Sequence, residues 1–333
     1  MRIGLAGVGR IGAFHADTLC QLPAVDSIIV ADADPARANA VAQRLGVEVA
    51  HSPGALFGSE IDALVIATAT DAHAEFIVRG VQAGLPVFCE KPVAADIDGT
   101  LDVIKRTSGA AAGVQIGFQR RFDAGYLAAR EAARSGSLGW VHTLRATTLD
   151  PRPPAPGYVA SSGGLLRDCG IHDFDAIRWV TGREVVDVYA AGANRGADFF
   201  RAAGDVDTMA ALLTLSDDSF ALVSNTRYNG AGCDVRLEVL GSQDSISAGL
   251  DDRLPLRSAE PGATFPADAP YPLFFERFRH AYTAELAAFV RLAADGGTSP
   301  CTMQDALEAF YIAEACEVSR ARREPVRVAE VRR

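Results

Sequence analysis

Lysine is almost missing from this 333-residue chain: of 32 basic residues only Lys91 and Lys105 are lysines, and the rest are arginines. Clustered positive charge is missing too, with a formal net charge of −10. That excludes nucleic acid and an anionic membrane as partners, since each needs a basic stripe to neutralise phosphates. No apolar run approaches the roughly 20 residues that cross a bilayer as a helix. The six cysteines (Cys20, Cys89, Cys169, Cys233, Cys301, Cys316) form no C-x-x-C pair. This excludes the disulfide framework of a small secreted chain and argues against a zinc site, so reduced thiols in a cytoplasmic protein are expected. No charged lead-in or cleavage site precedes the strand Arg2–Ala6, so no signal peptide is expected. Internal repeats and low-complexity stretches are absent as well.

What is present is ordinary globular material, 49% hydrophobic and 22% charged, long enough for two domains with separate cores. The first domain is expected over residues 1–118. It opens as strand, turn and helix, with Gly7-Val8-Gly9-Arg10-Ile11-Gly12 forming G-x-G-x-x-G directly after the strand. The first glycine permits the tight turn, the second lets backbone approach a pyrophosphate, and the third allows close helix–strand packing. Gly7, Gly9, Arg10, Ile11 and Gly12 are therefore candidate cofactor residues. A second strand, Ser27 to Ala31, ends in Asp32, placed to accept from a ribose 2′-hydroxyl and to repel a 2′-phosphate. That favours NAD, although Arg37 follows within two turns and leaves NADP open.

Buried strands alternating with amphipathic helices continue to residue 117, which reads as a parallel sheet covered on both faces. Ligands bind at the carboxyl ends of such strands. There the chain places Thr68 with His73, then Glu90-Lys91-Pro92. In a chain that uses arginine almost everywhere, Lys91 at a strand end marks a position needing a compact ammonium that donates hydrogen bonds; the bland reading is a surface lysine near a turn.

In the second half, Gly163-Gly164 precedes a stretch that reads as a helix from about Leu165. It sets Asp168, His172 and Asp175 at i, i+4 and i+7, on one face. Spacing alone suits a solvated face, or a core histidine satisfied by a carboxylate, as well as it suits a site. Asp168-x-x-x-His172 lacks a third ligand, so no metal is expected. Strands follow at Val141–Thr148, Val185–Ala191, Thr208–Leu215, Phe220–Arg227 and Val235–Leu240, with a hairpin turn at Ser216–Ser219. Residues 251–272 read as irregular, and two helices close the chain, Phe274–Ala293 and Met303–Ala321.

Together these motifs resemble the glucose–fructose oxidoreductase/inositol dehydrogenase/rhizopine-catabolism (Gfo/Idh/MocA) family, and within it the inositol 2-dehydrogenases. The segments Phe118-Gln119-Arg120-Arg121-Phe122-Asp123, Thr147 to Pro154 and Ile171 to Asp175 carry the closer likeness. The resemblance implies an α/β protein: an NAD-binding Rossmann domain over 1–118, and a substrate-binding and oligomerisation domain over 119–333 with a large, mostly antiparallel open sheet. It leaves the C-terminal helix free to pack back on the first domain. It implies a homo-oligomer, with a tetramer favoured, and a small polyol or sugar as substrate. It also assigns Lys91, Asp168 and His172 to catalysis, Thr68, His73 and Glu90 to the cofactor side, and Arg121, Asp150 and Asp175 to the substrate. The chain departs from the family pattern at Ala69, where proline is usual, at Gln119, a variable position before the arginine pair, and at Cys233, where inositol-type members carry tyrosine before the aspartate, here Asp234.

The reaction implied is oxidation of a secondary hydroxyl, myo-inositol to its 2-keto product, with hydride passing to the nicotinamide. His172 would take the hydroxyl proton, Asp168 hold its tautomer, and Lys91 stabilise the developing alkoxide. Competing expectations are a dehydrogenase of another inositol isomer, sugar or sugar derivative, an NAD-dependent glycosidase, and a non-catalytic NAD-binding regulator.

Overall fold

The computed structural model describes residues 1–333 and divides them into two compact units. The first comprises Met1–Gln119 and His280–Leu307, the second Arg120–Arg279 and Glu308–Arg333.

In the first unit, six strands alternate with helices: β1 (Arg2–Ala6), α1 (Arg10–Leu19), β2 (Ser27–Ala31), α2 (Pro35–Leu45), β3 (Glu48–Val49), β4 (Ala63–Ile66), α3 (Thr70–Gln82), β5 (Val87–Glu90), α4 (Ile97–Thr107) and β6 (Val114–Gly117). Local chemistry sets the helix ends. Asp34 caps α2 by accepting from the Ala36 and Arg37 N–H groups, Pro35 takes the first position, and the left-handed Gly46 stops it. All strand pairs are parallel, in the order β3-β2-β1-β4-β5-β6. Strand order reverses between β1 and β4, so their carboxyl ends part and leave room for a ligand.

The core of this unit joins Ile3, Leu5, Val30, Val65 and Phe88 to Leu286, Phe289 and Val290 from the helix Arg279–Asp295. This departs from the expected continuous second domain, because that apolar stripe belongs to the first unit's core. The single helix expected over Phe274–Ala293 is also interrupted. It forms as Phe274–Arg277 and Arg279–Asp295, with Phe278 leaving helical geometry between them. At the break the Arg277 guanidinium donates to Asp123 at 2.7 Å and lies over the Phe278 ring.

The second unit is a seven-stranded sheet, β7 (Val141–Leu149), β8 (Val185–Ala193), β9 (Thr208–Leu215), β10 (Phe220–Thr226), β11 (Asp234–Gly241), β12 (Ser245–Ala248) and β13 (Val326–Arg327), ordered β12-β11-β7-β10-β9-β8-β13. Only β7 and β10 run parallel. β13 is two residues long, too short for alternation to reveal it. Helices α5 (Ala124–Ser135), α6 (Pro156–Ser161) and α7 (Ile171–Thr181) belong to this unit, and α7 packs on α5 and β7. Side chains alternate strictly along β9 and β10 between buried and exposed. Leu222 of β10, Leu212 of β9 and Tyr189 of β8 are in register, so the open face carries an exposed apolar row. No helix of the molecule is long and apolar enough to cross a membrane.

Candidate active site

The glycine turn after β1 is built for close approach. Gly7 has φ +88°, and a Cβ there would meet the Ala67–Thr68 backbone at 2.5–2.6 Å. A Cβ on Gly12 would come within 1.9 Å of the Gly7 carbonyl oxygen. Around Gly9, by contrast, nothing lies within 4 Å. α1 starts there with no side-chain cap and no acid in its first turn, so its N-terminal partial charge is left for an anion. Asp32 is buried, accepting from the Val8 N–H at 2.7 Å and the Asp34 N–H at 2.9 Å, while Arg37 reaches its Oδ1 at 3.2 Å. An open Gly9, an uncapped helix start and an acid tied into the loop fit a dinucleotide: pyrophosphate over Gly9-Arg10-Ile11, adenine ribose at Asp32.

Lys91 follows the last residue of β5, half-buried, before Pro92. His73, expected to touch the cofactor, instead faces backbone. Its Nδ1 lies 2.7 Å from the Pro92 carbonyl oxygen and its Nε2 3.2 Å from that of Thr68. Burial lowers its pKa, so the ring is neutral with one N–H, which the shorter contact to Pro92 takes. The Nδ1–H bond ties the ring to the turn after β5, and Nε2 lies beside the turn after β4.

In the second unit, Gly163 and Gly164 both take positive φ, 82° and 94°. The Leu165 N–H then finds its acceptor in Asp205, at 2.9 Å. Leu166–Gly170 winds as a π-turn before α7, and the Ile171 N–H reaches back five residues to the Leu166 carbonyl. The helix expected from Leu165 does begin there, but its first turn is a π-turn in place of the regular α-turn expected. His172, second residue of α7, is half-buried.

Asp168 accepts at Oδ1 from the Tyr158 hydroxyl (3.0 Å) and at Oδ2 from Arg227 Nη2 (2.6 Å). The other arm of Arg227 donates to Asp150 at 2.8 Å, and the Cys169 thiol points at the same oxygen from 3.8 Å. Burial works against the Arg227 charge, but Cys169, Asp168 and Asp150 outweigh it and hold its pKa well above normal. One guanidinium thus bridges two carboxylates expected in the site. Neither Arg227 nor Tyr158 carried a sequence signal; a strand-end arginine and a tyrosine beyond a proline-rich loop are common.

Arg121 and Asp175 meet each other in a two-pronged pair, Nε to Oδ2 at 2.9 Å and Nη2 to Oδ1 at 2.6 Å. Asp175 is buried with both oxygens engaged by Arg121, which leaves neither free for the direct substrate contact expected of it. A parallel network lies beside it. Asp173, 0% exposed, accepts from Arg120, from the Thr148 hydroxyl at 2.9 Å and from Asn225 at 2.7 Å. It ties the start of α7 to β7 and β10. Cys233 is buried, and burial reinforced by Asp150 pushes its thiol up to about 12, so it faces this array uncharged.

The comparisons with known proteins agree over both units. Residues 1–118 match the oxidoreductase family model with an NAD-binding Rossmann fold, and residues 126–247 match the GFO/IDH/MocA C-terminal domain. A myo-inositol dehydrogenase of Streptomyces leeuwenhoekii is 37% identical over 325 residues, 96% of this chain and 97% of that one. The crystal structure of a probable dehydrogenase from Thermotoga maritima superposes with a TM-score of 0.93 at 31% identity, covering 100% of both chains. A scyllo-inositol dehydrogenase from Lactobacillus casei, solved with NAD(H) and scyllo-inositol, gives a TM-score of 0.86 at 29% identity over 99% of each chain.

Proposed function

The chain belongs to the Gfo/Idh/MocA oxidoreductase family, and from that membership we propose that it oxidises a secondary hydroxyl of a cyclic polyol with NAD, most specifically myo-inositol to its 2-keto product. The observation that carries the reading is what each unit presents by itself: in the first, a lysine directly after β5 in a sheet that also carries a dinucleotide turn, and in the second, a histidine on α7 in a stretch whose Asp168 and Asp175 are paired with Arg227 and Arg121. A ligand studded with hydroxyls needs such alternating acceptors and donors.

Gly7, Gly9, Arg10, Ile11, Gly12, Asp32, Thr68 and Glu90 would hold NAD, which when bound would supply the hydride acceptor. His172 takes the hydroxyl proton, having the side chain whose ordinary pKa suits that exchange near neutrality. Asp168, held in place by Tyr158 and Arg227, supports the imidazolium that results. Lys91 donates to the reacting oxygen and stabilises the charge that builds there. Arg121, kept planar and aimed by Asp175, and Asp150 select the ring by its other hydroxyls.

A screen of inositols and aldoses with NAD and NADP, read by absorbance of reduced cofactor, tests this. Lys91→Met and His172→Ala are expected to lower turnover by about a hundredfold or more, and wild-type rates in either variant would overturn the assignment. The second reading is another inositol isomer; it is favoured by the match to a scyllo-inositol enzyme and by a thiol at Cys233, a poor substitute for a phenol as a hydrogen-bonding group.

The exposed row Leu222, Leu212 and Tyr189 supports assembly with a second copy through the open sheet face, with a tetramer as the expected species. Six cysteines without a disulfide suit the reducing cytoplasm.

A further inference from the structure

Behind the strand end that carries Lys91, the first unit buries titratable side chains that the dehydrogenase reading leaves unused. His15 of α1 is fully buried, with Nε2 2.7 Å from Glu90 Oε1. Glu90 alternates onto the same face of β5 as Phe88, and Gln115 of β6 stands level with Phe88. The helix Arg279–Asp295 lies on that face. Phe289 meets Phe88 at 5.7 Å between ring centroids, and Tyr282 meets His15 at 5.8 Å. Glu285 lies one turn from each of these aromatics, and Gln115 Nε2 donates to its backbone carbonyl at 3.0 Å.

Glu285 is 0% exposed, and neither of its carboxyl oxygens has a hydrogen-bond partner. His15 Nδ1 and Gln115 Oε1, on the same face, have none either. A buried carboxylate without donors is costly and releases that cost by taking up a proton. Burial, reinforced by the Glu90 charge, pushes the Glu285 carboxyl well above its usual range. The other titratable groups around Glu90 are His73 on α3 and Lys91, its neighbour in the chain.

We propose that Glu285 is a neutral carboxylic acid in the working enzyme and that, with His15, it is a positioning residue for the end of β5 from which Lys91 projects. His15 holds Glu90 by its Nε2–H. An uncharged Glu285 leaves Glu90 the single negative charge of this layer, so Glu90 stays on His15. Ionised, the two carboxylates would repel, Glu90 would leave its donor, and Lys91 would move with it. The kinetic part rests on the dehydrogenase reading; the charge state does not.

Infrared spectra of the full-length protein at neutral pH should contain a protonated-carboxyl stretch that shifts in heavy water and is missing from Glu285→Gln. Glu285→Gln, which keeps the neutral shape, should keep a kcat near the parent's. His15→Leu removes the donor and should lower kcat by about tenfold or more. His15→Gln, which keeps an N–H for Glu90, should restore most of the loss. A parent spectrum without that band, or a band that survives in Glu285→Gln, overturns the proposal. So does undiminished kcat in His15→Leu, or no rescue by His15→Gln. If no polyol is turned over, the dehydrogenase reading fails, and the infrared arm decides the charge state. If leucine at 15 prevents folding, the same arm again decides.

Discussion

Asp173 is where α7 is most exposed to a single substitution, and the structure sets the size of the effect. Its carboxylate gathers Arg120, Thr148 and Asn225, all buried, while Arg120 is held in its charged form by Asp173 against the cost of its own burial. Asp173→Ala leaves a guanidinium without its countercharge, the Thr148 hydroxyl without its acceptor, and Asn225 with only the Ser224 carbonyl. Breaking such a buried pair costs about 3–5 kcal/mol, and re-aiming the Thr148 hydroxyl recovers little of it, so we expect about 4 kcal/mol. With a urea dependence of roughly 2 kcal/mol per molar, the unfolding midpoint falls by about 2 M. The double variant Arg120→Met/Asp173→Leu removes both charges and should lose clearly less than Asp173→Ala alone. Circular dichroism in a urea titration reads both, and turnover falls with the single variant because α7 carries His172. A loss under about 1 kcal/mol for Asp173→Ala, as at an exposed pair, or additive losses in the pair, would refute the reasoning.

Three further outcomes are expected. Glu285 has a folded-state pKa raised above the ordinary glutamate value, so the folded chain holds one more proton than the unfolded chain between those two values. Its stability contribution is complete below about pH 4.3 and is lost by about 1.4 kcal/mol per pH unit as pH rises toward the folded value; Glu285→Gln should flatten that slope in urea midpoints taken across pH, and an unchanged slope would count against the raised value. Gly12→Ala places a methyl 1.9 Å from the Gly7 carbonyl oxygen, so calorimetry should find NAD binding lost, and intact affinity would contradict the turn geometry. Leu222→Asp puts a charge in the exposed row of the open sheet, and light scattering should find a smaller assembly, whereas an unchanged mass would move the interface elsewhere.

The features legible in the sequence are those where chemistry sits at a strand end. The glycine turn, Asp32 and Glu90-Lys91-Pro92 needed only local order to place them, and the alternation in Thr208–Leu215 and Phe220–Thr226 marked two sheet strands directly. The π-turn at Leu166–Gly170 escaped because periodicity reasoning assumes an even helix, and a turn widened by one residue leaves no compositional trace. Arg227 and Tyr158 escaped because their partners lie 59 and 10 residues away along the chain, and only the folded sheet brings them to Asp168. Glu285 did leave a mark, an acid on the stripe of Tyr282, Leu286 and Phe289, but a stripe of aromatics reads first as core.

The first unit is discontinuous in sequence, and that governs the order in which the protein can be made. Its core is not closed until Leu286, Phe289 and Val290 arrive, more than 160 residues after β6 has been synthesised. Up to that point the dinucleotide sheet emerges from the ribosome with one flank of Ile3, Phe88 and their neighbours uncovered, while the second sheet is being completed. An N-terminal portion released at that stage would expose apolar surface, the condition that invites chaperones or aggregation. A gene fragment ending after residue 119 would inherit that exposure permanently. The half of the molecule that begins first is finished late.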